Sequence, residues 1–365
     1  LDASNTASTT DLPEIEPRWK KVLPDTVDVH RVLIADGEGN PLLAALDPKG
    51  VRVFAIDDAG ELTDSILIDP PPGHGDLRYT SIGRSETGPM ARAALSLFWP
   101  ERCETNLAAR TCGVAEWVTF NGRVNDGFKR VQLNDEDLSA RIVSDEHDHS
   151  FLLRRDNGGP YIEKRDAAGS VLWRQTAPAQ VIDASFGLDG TALANDKFGA
   201  FTWNLTDSTG LNWFELNAEG AVEVFARISI DLHPSRHDEW SLRDTQGRQL
   251  LVGPSGVRDL MFLRVTPENL TATLFEVVRE GYADLDATNL AMAPDGTVYV
   301  EERVGDREIG KRQPVMCRLP ETGKLACFAV PKFDSFASFD QMVAQAGGVV
   351  FTLADTTLTR IDFPQ

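Results

Sequence analysis

The sequence predicts an all-β chain: a seven-bladed β-propeller of four-stranded antiparallel blades, closed by its N-terminal strand pairing into the last blade. Three observations carry this reading. Helical periodicity is nearly absent, while short alternating or β-branched runs recur between Gly, Asp, Asn and Pro turns, the pattern of strands. Six hairpins of one type recur at an average spacing of about fifty residues, near the length of one four-stranded blade. The chain ends after three strands of a seventh unit, and a matching fourth strand lies at its other end.

The hairpins are VRVFAIDDAGELTDSILI, AEWVTFNGRVNDGFKRVQL, PYIEKRDAAGSVLWRQTA, LNWFELNAEGAVEVFARI, MFLRVTPENLTATLFEVV and VMCRLPETGKLACFAV. Their turns fall at Gly60, about Gly122, Gly169, Gly220, Asn269 and Gly323. Two further strands precede each. In the first unit these are RVLIAD and PLLAAL around GEGN; in the fourth, IDASFG and TALAND around Asp189–Gly190; in the sixth, NLAMAP and TVYVEERV around Asp295–Gly296. The units so drawn are 30–69, 76–133, 137–176, 181–229, 238–279, 286–331, and 336–363 completed by 18–24, with strands a to d running outward from the axis. RWKKVLP (Arg18 to Pro24) resembles the outer strands TLFEVVR and LACFAVP and would supply the missing strand. Closure matters because an open ring exposes sheet edges and an apolar blade face. Residues 1–17 read as a flexible tail before one propeller domain, 18–365, so removal of Leu1–Thr10 is expected to be harmless.

The 365 residues carry a formal net charge of −20 and 42% hydrophobic residues. The charge repels a phosphate backbone and argues against nucleic acid as a partner. No apolar run approaches the ~18 residues of a membrane span. The small, polar start LDASNTASTT suits a mature terminus left after an export signal, and export is the expected localisation: periplasmic, cell-surface or secreted.

Four cysteines form two close pairs. A hairpin centred on Thr322 puts Cys317 opposite Cys327, and opposed residues lie close enough to bridge. Cys103 and Cys112 would staple the base of an excursion in the second unit. Disulfides of this kind persist in oxidising compartments. The rival is zinc binding by four cysteines, although neither pair has the C-x₂₋₄-C spacing of such sites.

The segments AMAPDGTVYV and YIEKRDAAGSVLWRQ resemble strand pairs of NHL-type and PQQ-like propeller repeats. The resemblance implies the architecture and carries no function. Motifs of phosphate loops, nucleophile elbows, HExxH zinc sites, EF-hands and haem attachment are absent.

In propellers the d–a and b–c loops share one face, which usually surrounds the channel mouth and binds the ligand; this is fold-level analogy. The d–a connections here bear acids and histidines. Candidate ligand-binding residues are His74, Asp76, Asp183, His233, Trp240 and Asp286. Asp76, Asp137, Asp238 and Asp286 could converge on the axis and hold calcium, a hard cation that takes six to eight oxygens. The competing reading is that Asp serves β-turns locally. In DLHPSRHDEW, His237, Asp238 and Glu239 are candidate acid–base or metal groups beside His233; otherwise they form a solvated loop. A second cluster, Asp145 to His149, is the a–b turn of the third unit on the opposite face. There adventitious metal binding competes with a solvated turn. Asn204 and Asn269 head sequons that matter only if the source glycosylates its exported proteins.

The absence of a catalytic signature and the rigid frame favour a non-catalytic module recognising a protein or glycan through the d–a and b–c face. One alternative is a cation-assisted hydrolase or lyase acting on a sugar or lactone at the channel. Another is a structural subunit of an envelope assembly, carrying a large apolar patch.

Overall fold

A computed structural model describes residues 6–8, 12–24, 27, 31–36, 39–72, 81–84, 94–101, 112–120, 124–133, 141–144, 147, 149–156, 159–166, 168–176, 189–193, 195–203, 210–229, 240–243, 249–254, 260–266, 271–278, 285–306, 311–320, 324–330 and 341–364. The protein is an all-β propeller with four-stranded antiparallel blades. The described strands form seven sheets, each written here from strand a to strand d. The first holds Arg31–Ala35, Pro41–Asp47, Gly50–Ile56 and Leu62–Ile68; the second Ser81–Arg84, Ala94–Glu101, Cys112–Phe120 and Phe128–Leu133. The third holds Arg141–Ser144, Ser150–Asp156, Gly159–Arg165 and Val171–Thr176; the fourth Asp189–Leu193, Lys197–Trp203, Gly210–Leu216 and Val222–Ser229. The fifth holds Trp240–Arg243, Gln249–Pro254, Leu260–Thr266 and Thr271–Val278; the sixth Leu285–Met292, Val298–Asp306, Lys311–Leu319 and Ala326–Ala329. The seventh is Gln341–Gln345, Val349–Ala354 and Thr357–Asp362, with Trp19–Val22 from the other end of the chain as its outer strand.

The core lies between neighbouring sheets, because side chains alternate across a strand and feed both faces. In the first sheet Val32, Ile34, Leu42 and Ala44 pack on Leu95, Leu97, Trp99 and Phe120 of the second. Their neighbours Leu33, Leu43 and Ala45 pack the other way, on Val343, Phe351 and Leu353 of the seventh. The inner strands of the first and seventh sheets are therefore buried on both faces at residues 32–34 and 342–344, which read as short continuous apolar runs. The last inner strand lies beside the first. There Gln341 Oε1 accepts from the Leu33 amide, and its Nε2 reaches the Arg31 carbonyl at 3.4 Å.

The outer hairpins of the first, third and fourth sheets share one turn chemistry. Asp57 Oδ1 accepts from the amides of Ala59 at 2.9 Å and Glu61 at 2.8 Å, and Gly60 turns the chain at φ +79°. Asp166 and Asn217 do the same before Gly169 and Gly220. An Asx side chain folds the turn locally, and glycine supplies the left-handed residue without steric cost.

Two of these turns also receive a tryptophan from the preceding sheet. Trp173, on strand d of the third sheet, donates its indole N–H to the Ala218 carbonyl at 2.7 Å and covers Gly220. Trp19 does this across the chain ends, donating to the Asp58 carbonyl at 2.9 Å and covering Gly60. Behind each indole lies a strand-b phenylalanine, Phe151 or Phe351, with ring centroids 6.0 Å away. A strand-c cation, Lys164 or Arg360, sits over each phenylalanine. Trp19 thus takes on the N-terminal strand the place that Trp173 takes on strand d of the third sheet. A Cβ on Gly220 would meet Trp173 at 2.9 Å, at φ +84°. Gly220→Ala is expected to cost about 1–3 kcal/mol through strain and displaced packing. A lower urea midpoint at unchanged m would show it.

Ion pairs reinforce the seventh-to-first contact. Asp362 accepts from Arg18 at 2.8 Å and from Arg360 at 2.7 Å, and Arg360 continues to Asp58 at 2.8 Å. Burial pushes the Asp362 carboxyl up. The hydrogen bonds from Arg18 and Arg360, with their charges, outweigh burial and hold it below the ordinary carboxylate range. A carboxyl lowered in the folded state stabilises fully above its unfolded value of about 4 and loses that contribution as pH falls through its folded value. Asp362→Asn should therefore be less stable than the parent near neutrality, with the gap shrinking in urea titrations below about pH 4.

Two expectations need correction. The segment before Arg18 is not a free tail throughout. Thr6–Ser8 pairs in parallel with Glu276–Val278 on the fifth sheet's outer edge. Ile15 is buried, and Pro13 and Ile15 exchange backbone hydrogen bonds with Ala329 of the sixth. Outer strands offer unpaired backbone groups, and an extended polar segment satisfies them whatever its side chains. In the fourth sheet, Asp189 and Gly190 lie within strand a rather than in a turn, paired with Phe201 and Ala200. The turn falls later, where Asn195 and Asp196 both hold φ of 61°; Asn and Asp are the side chains that best tolerate that region.

Candidate functional site

The strand order puts the d–a and b–c connections on one face and the a–b and c–d turns on the other. Most long connections, such as 69–80, 177–188 and 230–239, belong to the first face, while 85–93 joins strands a and b of the second sheet on the other. Of the expected site residues, Trp240 opens strand a of the fifth sheet opposite Val252, and Asp286 lies near the start of strand a of the sixth, opposite Arg303. Both therefore stand on innermost strands, at the ends nearest that face. His74, Asp76, Asp137, Asp183, His233, His237, Asp238 and Glu239 lie outside the described residues, as do Asp145, Glu146 and Asp148. Their convergence, and the calcium ring drawn from them, stays an expectation.

The described part of this face is a polar rim at the first and seventh sheets. Arg31, its side chain buried, donates to the Asp355 carbonyl at 2.6 Å and lies 3.7 Å from that residue's carboxylate. Asp355 is exposed and sits at φ 48° in the b–c turn of the seventh sheet. In the matching turn of the first sheet, Asp47 accepts from Arg52 at 2.8 Å and from the Lys49 amide at 3.0 Å. Burial raises the Asp47 carboxyl, but these bonds and charges prevail and keep it below the ordinary range. Arg31 and Asp355 escaped the sequence reading because an arginine opening a strand and an aspartate in a turn carry no pattern of their own.

The Cys317–Cys327 disulfide is present, joining directly opposed residues of strands c and d of the sixth sheet with Cα atoms 4.0 Å apart. Cys112 opens strand c of the second sheet opposite Glu101, whereas Cys103 lies outside the described residues.

The opposite face carries the one histidine cluster among the described side chains. Ser144 pairs with Ser150, which makes His147 and His149 part of a turn, as the alternation there predicts. His149 Nδ1 lies 3.4 Å, and His147 Nε2 3.9 Å, from Oδ1 of Asp196 in the adjoining turn of the fourth sheet. In sequence Asp196 falls in TALAND, which reads as a strand, and the Asn-Asp dipeptide is its one turn signal.

No protein-family model matches the chain. No curated protein matches it either. Solved structures do. One of Drosophila Plexin A in complex with Semaphorin 1b is 8% identical at a TM-score of 0.48, covering 96% of this chain and 88% of that one. One from work on two prolyl endopeptidases is 10% identical at 0.50, covering 93% and 51%. The apo prolyl oligopeptidase B from Galerina marginata is 8% identical at 0.50, covering 90% and 48%. The chain spans about half the length of these two peptidases. At such identities the likeness concerns the fold. The sheet order, with the fold-level likeness to the two peptidases, defines an all-β propeller protein, and the sixth sheet adds a hairpin disulfide. Among the described residues no helix is long and apolar enough to cross a membrane.

Proposed function

We propose that this chain is an exported, non-catalytic recognition propeller, its seven sheets closed into one ring, which binds a protein or glycan through the face of d–a and b–c connections. The observation that carries the reading is the contrast between the two faces. One holds mostly short turns, three of which repeat one hydrogen-bond pattern at Asp57, Asp166 and Asn217. The other receives most of the long connections, among them 69–80, 102–111, 177–188 and 230–239. Loops that vary on a rigid frame are where recognition sits. Closure is supported by Trp19 acting as an ordinary strand-d tryptophan and by the shared core of the first and seventh sheets. The disulfide fits an oxidising compartment.

An array of envelope proteins and glycans tests the reading. A ligand should bind the parent and lose at least tenfold in affinity when residues 230–239 and 102–111 are rebuilt as short Gly-Ser turns. Undiminished binding would remove the face from consideration. Turnover of a sugar or lactone that His237→Ala abolishes would replace recognition with catalysis.

A further inference from the structure

We propose that His147, His149 and Asp196 form a binding site for a divalent transition metal, bridging the third and fourth sheets on the face opposite the long connections. The site joins two turns from neighbouring sheets. His147 and His149 come from the a–b turn of one, Asp196 from the a–b turn of the next.

Three observations converge there. First, both imidazoles direct a ring nitrogen at the same carboxylate oxygen, at 3.4 and 3.9 Å. Around a tetrahedral zinc ion, bonds of about 2.0–2.2 Å place neighbouring donors roughly 3.3–3.5 Å apart. His149 already meets that edge, and His147 exceeds it by a few tenths of an ångström. Among the described residues no group of three such side chains is already placed to hold a metal ion, so this site forms only when His147 turns toward Oδ1. His147 is 57% exposed, so it turns into place without disturbing the core.

Second, Asp196 Oδ1 is buried and receives no hydrogen bond. A buried acceptor without a partner is costly and calls for a ligand. The rest of Asp196 is held: Lys164 Nζ donates to its carbonyl at 3.2 Å and stands 3.9 Å from Oδ2. Both histidine contacts are made to Oδ1.

Third, Asn195 and Asp196 both hold a positive φ of 61°. That sparsely populated backbone aims the carboxylate back toward the third sheet, and strain of this kind gathers at ligand clamps. Two imidazoles and one carboxylate select zinc, nickel, cobalt or copper over calcium or magnesium, which take oxygen ligands. Three protein donors leave a fourth position for water or another ligand.

Calorimetric titration of the chelator-stripped full chain with zinc chloride tests this. One equivalent should bind, and magnesium chloride should give no heat. Asp196→Asn, which keeps a residue tolerant of the left-handed backbone, and His149→Gln should each weaken zinc binding at least tenfold, with the parent's melting temperature in chelator. His147→Gln is the third arm should either variant melt early. A triple variant, His74→Gln with His233→Gln and His237→Gln, should bind as the parent does, which separates this site from the recognition face. No heat with zinc, equal affinity in the folded Asp196 and histidine variants, or loss of binding in the triple variant would each overturn the assignment.

Discussion

A chain lacking residues 1–24 should fail to reach the native fold, while one lacking only residues 1–10 should fold with a small loss. The outer strand Trp19–Val22 pairs with Thr357–Arg360 and carries the indole that covers Gly60. Its removal bares a sheet edge, the Phe351 ring and the buried Arg360 guanidinium together. Those losses reach the order of the whole stability of a domain, about 5–15 kcal/mol. Trp19→Ala alone removes the half-buried indole and its hydrogen bond, for about 2–4 kcal/mol. Thr6–Ser8 contributes a short parallel pairing, so its loss costs about 1–2 kcal/mol. Circular dichroism and urea melts of the two truncations read the difference. A synthetic peptide of residues 12–24, added to the longer truncation, should restore a cooperative melt, and the same peptide carrying Trp19→Ala should not. A cooperative, parent-like melt of the 25–365 chain would refute closure by the N-terminal strand.

The second large effect is expected inside the second sheet. Glu116 is buried on strand c between two cationic or donor partners. Trp99 Nε1 donates to it at 2.7 Å from strand b, and Arg130 Nε does so at 3.2 Å from strand d. The carboxylate ties three strands of one sheet. Glu116→Ala leaves a guanidinium and an indole N–H without their acceptor, which costs about 3–5 kcal/mol for a buried pair. Replacing both charged partners together, as Glu116→Leu with Arg130→Met, should recover most of that loss, because the desolvation penalty disappears with the charges. Urea midpoints of Glu116→Leu, Arg130→Met and the double variant form the cycle. Equal destabilisation in single and double variants would show that strand packing, not the ion pair, holds the sheet.

Much of the frame was legible because its signals are local. The Asp57, Asp166 and Asn217 turns announce themselves as Asx-x-x-Gly between alternating runs, and the observed glycines turn the chain where those runs end. The Cys317–Cys327 pairing followed from hairpin register alone. Register failed at Asp189–Gly190, where a turn-like dipeptide lies within a strand. There the side-chain periodicity of the following strand, burying Phe198 and Ala200 toward Phe151 and Phe214, decides the pairing. The tail was misread for the opposite reason: Thr6–Ser8 and Pro13–Ile15 have no strand signal, and the backbone edges they join are invisible in one dimension.

The same division runs through the candidate sites. A histidine pair two residues apart is visible in sequence, but the carboxylate it meets arrives from a turn of the next sheet, 47 positions along from His149. Arg31 and Asp355 likewise meet only because the chain's last sheet returns to its first.

By itself the sequence determined most of the strands, the hairpins at Gly60, Gly169 and Gly220 and the strand shared between the chain ends, because hydrogen-bonding turns and alternation act over a few residues. Only the tertiary structure decided what Trp19 covers, where the tail binds and which oxygen the two histidines face. Those contacts join separate sheets, and their geometry depends on how whole blades stack rather than on any run of neighbouring residues.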